Sequence, residues 1–286
     1  MLTSVNYEKG FGNVSPEESK RLQDSEDQFI KARSLILKES NDIDKDLYDK
    51  YNVKIGLRNK NGTGVCVGLT RIADVQGYTI DEEGQKIPTP GKLYYRGVSV
   101  EDIVNGCRAD NRFGFEETTY LLLFGKLPSA RELGEFKKIL GARRQLPQGF
   151  ARDHILTTPS RSIMNHLARE VLALYSYDEH PDDISIENIF RQSIMLISYF
   201  PSLVAYSYQA KRSHFDNQSL HLHYPAAELS TAENILRMLR PTGEYNDIEA
   251  KVLDTCLIIH AEHGGGNNST FTTHTVSSTG TDTYSA

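Results

Sequence analysis

Apolar positions recur at helical spacing along most of the chain, in segments separated by polar stretches and by glycine or proline. Ser15 and Pro16, followed by Glu17 and Glu18, give a capped first turn and predict a helix over residues 16 to 39. Its apolar residues are sparse until Phe29, Ile30, Leu35, Ile36 and Leu37, which reads as a peripheral helix or arm. Between Val65 and Arg96 the period shortens. Three β-branched or aromatic runs (VCVGLT, DVQGYTI and KLYYR) are punctuated by Gly77, Gly84, Pro88, Pro90 and Gly91, and predict a small strand-and-turn segment.

Helical patterning returns at Ser99, which caps residues 100 to 105 ahead of a stop at Gly106. Further helices are predicted over 113 to 124, 130 to 140, 160 to 177, 185 to 212, 230 to 239 and 247 to 263. Pro201 should kink or break the long helix at 185 to 212. The chain closes on a Ser/Thr-rich tail. The fold class expected is mainly α with one small β segment.

Composition narrows the functional classes. A hydrophobic share of 38% supports a core, while no run approaches the ~20 apolar residues of a membrane span. The N-terminus lacks a basic flank followed by an apolar run, so no secretory signal is expected. A net charge of -6 gives no basic footprint for nucleic acid. Three widely spaced cysteines, Cys66, Cys107 and Cys256, fit a reducing cytoplasm in which each is a small core hydrophobe.

The stretch Asp254 to Phe271, DTCLIIHAEHGGGNNSTF, concentrates the candidate chemistry. Ile248, Val252, Cys256, Ile259, His260 and His263 would share one apolar helix face, and imidazoles buried there would need hydrogen-bond partners. Gly264 to Gly266 would end that helix immediately after His263. A histidine at a helix C-terminus is placed to donate to a carboxylate. Asn267, Asn268 and Ser269 add donors beyond the turn. Each feature also has an ordinary reading, in which His is a satisfied core residue and the glycines are a helix stop. The two histidines could suggest zinc, but the short helical zinc motif uses i, i+4 spacing, and no metal site is expected.

The segment HAEHGGGNNS, residues 260 to 269, is similar to the signature that precedes the active-site cleft of citrate synthases, especially the bacterial citrate and 2-methylcitrate synthase branch. Leu93 to Gly97 (LYYRG), Phe115 to Pro128 (FEETTYLLLFGKLP), Arg191 to Gln209, Leu229 to Asn234 (LSTAEN) and Leu239 to Pro241 resemble that family in order and spacing over residues 55 to 286. The residues ahead of the resemblance are expected to form an N-terminal helical arm over 1–54. The resemblance implies an incomplete citrate synthase large domain over 55–286, without the small domain. It further implies an acyltransferase of the tricarboxylic acid cycle that condenses acetyl-CoA or propionyl-CoA with oxaloacetate as a cytoplasmic homodimer. The CoA thioester is then a substrate and no separate cofactor is needed.

Carried over by position, His263 corresponds to a histidine that hydrogen-bonds oxaloacetate. Asn267 and Ser269 fall where the family orients its catalytic histidine, and His260 takes no assigned role. The family's catalytic histidine and aspartate are expected beyond Ala286, since no Gly-Pro-x-His motif occurs and Asp282 lies in a different context. The chain as given is therefore expected to be a catalytically inactive fragment. The alternative is a non-catalytic helical oligomerisation module derived from such an enzyme.

Overall fold

Side-chain capping sets most of the helix starts. Ser129, Ser230 and Asn246 each accept the N–H three residues on, while Glu132, Glu233 and Glu249 reach back to the cap N–H, completing three capping boxes. Ser99, Ser162 and Ser185 cap three more helices through their hydroxyls. These assignments come from a computed structural model that describes residues 15–40, 42, 44, 46–51, 56–58, 70–264 and 267–286.

The chain divides into two units, Met1–Gly64 and Val65–Ala286. The first carries α1 (Pro16–Ser40) and α2 (Asp46–Lys50). On α1, Phe29, Ile30 and Ile36 are exposed. The second unit opens with a three-stranded antiparallel sheet, β1 (Ala73–Ile80), β2 (Lys86–Tyr95) and β3 (Val98–Ser99), in the order β1-β2-β3. Ala73 pairs with Tyr95, and the register shifts at Gly77, between Gln76 and Tyr78. Residues 65–69 of the VCVGLT run, including Cys66, lie outside the described residues.

Eight helices follow: α3 (Val100–Ala109), α4 (Phe115–Phe124), α5 (Ala130–Ala142), α6 (Ile163–Leu174), α7 (Ile186–Phe215), α8 (Thr231–Leu239), α9 (Asp247–Ile259) and α10 (Asn268–Ser277). A π-helical turn, Ala151–Leu156, precedes α6, and a 3-10 turn, Tyr175–Tyr177, follows it. The mainly α class with one small sheet is what the sequence pattern led one to expect. Among the described residues no helix is long and apolar enough to cross a membrane.

Several boundaries differ from the sequence reading. α3 continues through Gly106 to Ala109, because Ile103 and Cys107, one turn apart, both enter the core; their burial outweighs the ~1 kcal/mol cost of a helical glycine. α7 is not broken at Pro201. The ring is buried, and helix packing against α5, α6 and α8 holds the segment although one ladder donor is missing. The Ser/Thr-rich tail forms α10, and beyond it Tyr284 is buried, with its hydroxyl donating to Asp178 Oδ2 at 2.6 Å. Burial alone would raise the Asp178 carboxyl. Donation by Tyr284, the His180 N–H, Gln192 and Arg191 instead holds it well below the usual carboxylate range.

The main core lies around α7, where Leu203, Ala205, Tyr206 and Ala210 pack with Phe150, Ile155, Leu174 and Met238. A second cluster joins the sheet to the helices: Tyr95, Ile103, Cys107, Leu121 and Ile258. Buried carboxylates tie these layers together. Glu116 on α4 accepts the Thr231 N–H at 2.7 Å, capping α8 from a distance, and lies 3.7 Å from the buried Arg144 guanidinium.

Glu170 on α6 is fully enclosed beside His166 and accepts from Ser207 Oγ at 2.5 Å. Burial pushes its carboxyl up to about 7. The folded value is raised above the unfolded value of about 4.3, so the contribution to stability is complete below that value and is lost as pH rises through about 7. Glu170→Gln should therefore flatten the decline in unfolding free energy between about pH 4 and 7 by up to one proton's worth of slope. Denaturant titrations across that range test this, and an unchanged slope would refute it.

Candidate functional site

The residues singled out around His263 occupy the connection between α9 and α10, and the helix ends sooner than its sequence suggests. α9 stops at Ile259, His260 is its C-cap, and His263 lies three residues further on in a non-helical loop. His263 is therefore not at a helix C-terminus. Nor is the supposed apolar face buried. Ile248 is 74% exposed, Val252 59% and Ile259 41%, and Cys256, His260 and His263 are also exposed.

The reason is that α9 docks through another face. Ala250, Asp254 and Ile258, at i, i+4 and i+8, pack onto α4, α3 and the second core cluster. A polar residue, Asp254, lies at the centre of that buried stripe, which hid it from a pattern of apolar positions. Cys256 accordingly is not a core thiol, whereas Cys107 is.

Asp254 anchors this docking. Its carboxylate accepts the Gly114 N–H at 2.7 Å and the Phe115 N–H at 3.1 Å, supplying α4 with the cap that its own Gly114 cannot provide. Gly114 has no room for a side chain, since a Cβ there would meet Cys107 Sγ at 2.3 Å. Burial pushes the Asp254 carboxyl up to about 6, with the two N–H bonds pulling the other way.

The loop itself is built from β2. Tyr95 is 0% exposed, and its hydroxyl donates to the Ile258 carbonyl at 2.8 Å, satisfying one of the open carbonyls at the end of α9. The same oxygen accepts the Glu262 N–H at 3.3 Å. Glu262 Oε1 in turn accepts the N–H groups of His263 and Gly264, both at 2.8 Å. Gly264 has φ +76° and lies against the Ala73 carbonyl, where a Cβ would stand at 3.2 Å. Gly265 and Gly266 lie outside the described residues.

His263 lines a groove of about 540 Å³ with Val75, Lys92, Tyr94, Ser99 and Asp102. Asn267 and Ser269 are not part of its lining. Asn267 is the N-cap of α10, its side chain accepting the Thr270 N–H at 2.9 Å, and Ser269 is exposed. His260 Nδ1 lies 2.8 Å from the Cys256 carbonyl, a local bond within its own helix end. Among the described residues no cluster of three or more His, Cys, Asp or Glu side chains is arranged to hold a metal ion.

Tyr95 and Glu262 were both visible in the sequence motifs but carried no assigned role there. The signals were an aromatic residue at a strand end before Arg-Gly and an acid between two histidines. The neighbouring Arg96 also serves the frame, donating from Nε and Nη2 to the Leu122 carbonyl near the end of α4.

A protein-family model described as citrate synthase, C-terminal domain, matches residues 60–286. This chain belongs to the citrate synthase family. It is 34% identical over 202 residues to a citrate synthase of Haloferax volcanii, covering 68% of this chain and 49% of that protein. It is 31% identical over 205 residues to 2-methylcitrate synthase 2 of Corynebacterium glutamicum, covering 70% and 50%. Among solved structures, citrate synthase from Pyrobaculum aerophilum aligns with a TM-score of 0.62 at 27% identity, over 80% of this chain and 54% of that one. A ternary complex of carboxymethyl coenzyme A and oxaloacetate with the Thermoplasma acidophilum citrate synthase shares the fold, with a TM-score of 0.62 at 22% identity, over 77% and 51%. The chain spans about half the length of the curated relatives it matches. The citrate synthase resemblance of its motifs is thus borne out, as is the mainly α fold.

Within this family member, Asp254 ties α9 to the start of α4. Asp254→Ala leaves two buried N–H groups without an acceptor and should cost about 1–3 kcal/mol of stability. Asp254→Asn keeps one acceptor and should cost less. Chemical denaturation of the two variants measures the difference, and equal stability of Asp254→Ala and the parent would refute the capping role.

Proposed function

We propose that this chain serves the condensation of a short acyl-CoA, acetyl or propionyl, with oxaloacetate, and that its share of the work is to hold oxaloacetate through His263. The observation that carries this reading is the exposed imidazole of His263 at a groove, on a loop whose backbone is fixed by the sheet, in a chain of the citrate synthase family. The Thermoplasma acidophilum protein of the same fold was solved with oxaloacetate and a CoA derivative, which supports the substrate class.

Carbon–carbon bond formation of this kind places two demands on an enzyme. The methyl proton beside the thioester is weakly acidic, so it is removed only as the developing enolate is stabilised. The oxaloacetate carbonyl must also be presented to that enolate at contact distance, since alignment alone supplies a large part of such rate enhancements. An imidazole donor on a rigid loop meets the second demand by fixing the dicarboxylate. In this reading the CoA thioester is a substrate rather than a cofactor. Asn267 and Ser269 take a supporting role through α10, Asn267 by fixing where that helix begins.

Oxaloacetate added to the chain should shift the His263 ring resonances saturably. His263→Ala should weaken binding about tenfold or more, the worth of one hydrogen bond to a charged group. Heteronuclear NMR titration makes the measurement. Binding that is unaffected by His263→Ala, or no binding by the parent chain, would overturn the assignment.

A second reading rests on the exposed stripe of Ile248, Val252, Cys256 and Ile259 along α9. Apolar side chains at i, i+4, i+8 and i+11 on one helix face suit a second copy of the same helix, and we propose a homodimer in which this stripe is covered. It accommodates both an enzyme and a non-catalytic oligomerisation module. Sedimentation velocity should show a dimer that dissociates when Ile248 and Val252 are both changed to Asp; a parent chain that sediments as a monomer would contradict it.

A further inference from the structure

We infer that Tyr95 and Glu262 are positioning residues for His263, clasping the backbone of the substrate-binding loop so that the imidazole faces the groove. This rests on the reading of His263 as the oxaloacetate ligand. Because α9 ends at Ile259, the His263 peptide lies beyond the reach of the helix ladder. It is held from two other directions. From the sheet, the Tyr95 hydroxyl bridges the Ile258 carbonyl and the Glu262 N–H, fixing where the loop leaves the helix. From the loop itself, the Glu262 side chain folds back, and one oxygen, Oε1, receives the N–H groups of both His263 and Gly264.

The two elements are linked in series. Tyr95 holds the Glu262 backbone, and Glu262 holds the next two peptides. Gly264, pressed on the Ala73 carbonyl at φ +76°, seats its own peptide on the first residue of β1. Ala73 is the register partner of Tyr95, so Glu262 and Gly264 both rest on one cross-strand pair. The tyrosine is suited to be a permanent donor. Its ring is wholly enclosed, and burial raises its hydroxyl above the ordinary range, so it keeps its proton throughout physiological pH.

The geometry also separates the charge of Glu262 from its role as acceptor. Both bonds go to a single oxygen, which glutamine retains and alanine removes. The test uses isotope-labelled chain without substrate, reading amide exchange residue by residue and the His263 ring signal. Glu262→Ala should accelerate exchange at His263 and Gly264 by about tenfold or more and move the His263 ring resonance. Glu262→Gln should restore both. Tyr95→Phe, which keeps the ring, should accelerate exchange at Glu262 and at the same two amides while leaving α7 protected.

Unchanged exchange in Glu262→Ala, or failure of Glu262→Gln to restore the ring signal, would overturn the proposal. So would uniform acceleration across α7 and the sheet in both Tyr95→Phe and Glu262→Ala, since that would mark a general loss of stability. Oxaloacetate takes no part in these readings. If they come out as expected while the parent chain gives no response to oxaloacetate, the clasp stands and only the substrate reading fails.

Discussion

The Tyr95 hydroxyl is the contact on which the arrangement of the site depends. One buried oxygen closes the C-terminal end of α9, starts the loop that carries His263, and does both from the last residue of β2. A helix end buried without partners leaves carbonyls whose desolvation is uncompensated, each worth about 1–3 kcal/mol. Satisfying Ile258 from a neighbouring strand, in addition to the Ala261 N–H of the following turn, removes that cost. It also obliges the sheet and the helix to meet at one register.

The same device recurs through the second unit: a polar side chain on one element completes the hydrogen bonding of another element's end. Asp254 on α9 caps α4, and Glu116 on α4 caps α8. Arg96, just after β2, donates to a carbonyl near the end of α4. Helix ends are where backbone groups are left over, so long-range caps of this kind tie orientation to hydrogen bonding as well as to shape. The chain from Tyr95 to Glu262 to His263 is the last link of that scheme, and it delivers an imidazole to the surface of a groove. Bonds from both the sheet and the loop limit how far that imidazole can drift, which suits the dicarboxylate ligand proposed for it.

Much of this was legible in the sequence. Helical spacing between polar, glycine and proline breaks located α5, α8 and the start of α9, and the shortened period located the hairpin. The His-Ala-Glu-His-Gly run falls on the loop that carries His263. What escaped was the direction of α9. Ile248, Val252 and Ile259 are apolar and helical in period, so pattern alone assigned them inward. The buried stripe is instead Ala250, Asp254 and Ile258, in which a small residue and an acid disguise the core. Asp254 is buried because its partners are the N–H groups of Gly114 and Phe115, some 140 residues away, and no local pattern encodes them. The end of α9 was misplaced as well: the helix closes at His260, whose N–H bonds the Cys256 carbonyl, while Tyr95 holds the Ile258 carbonyl from the sheet.

A crystal structure of this chain determined with oxaloacetate tests the central claim most directly. The account predicts the dicarboxylate within hydrogen-bond distance of the His263 ring, in the groove beside Lys92 and Asp102, with Glu262 still holding the two N–H groups and Tyr95 still closing α9. Oxaloacetate bound elsewhere with the His263 ring turned away, or a groove left empty at saturating ligand, would contradict it.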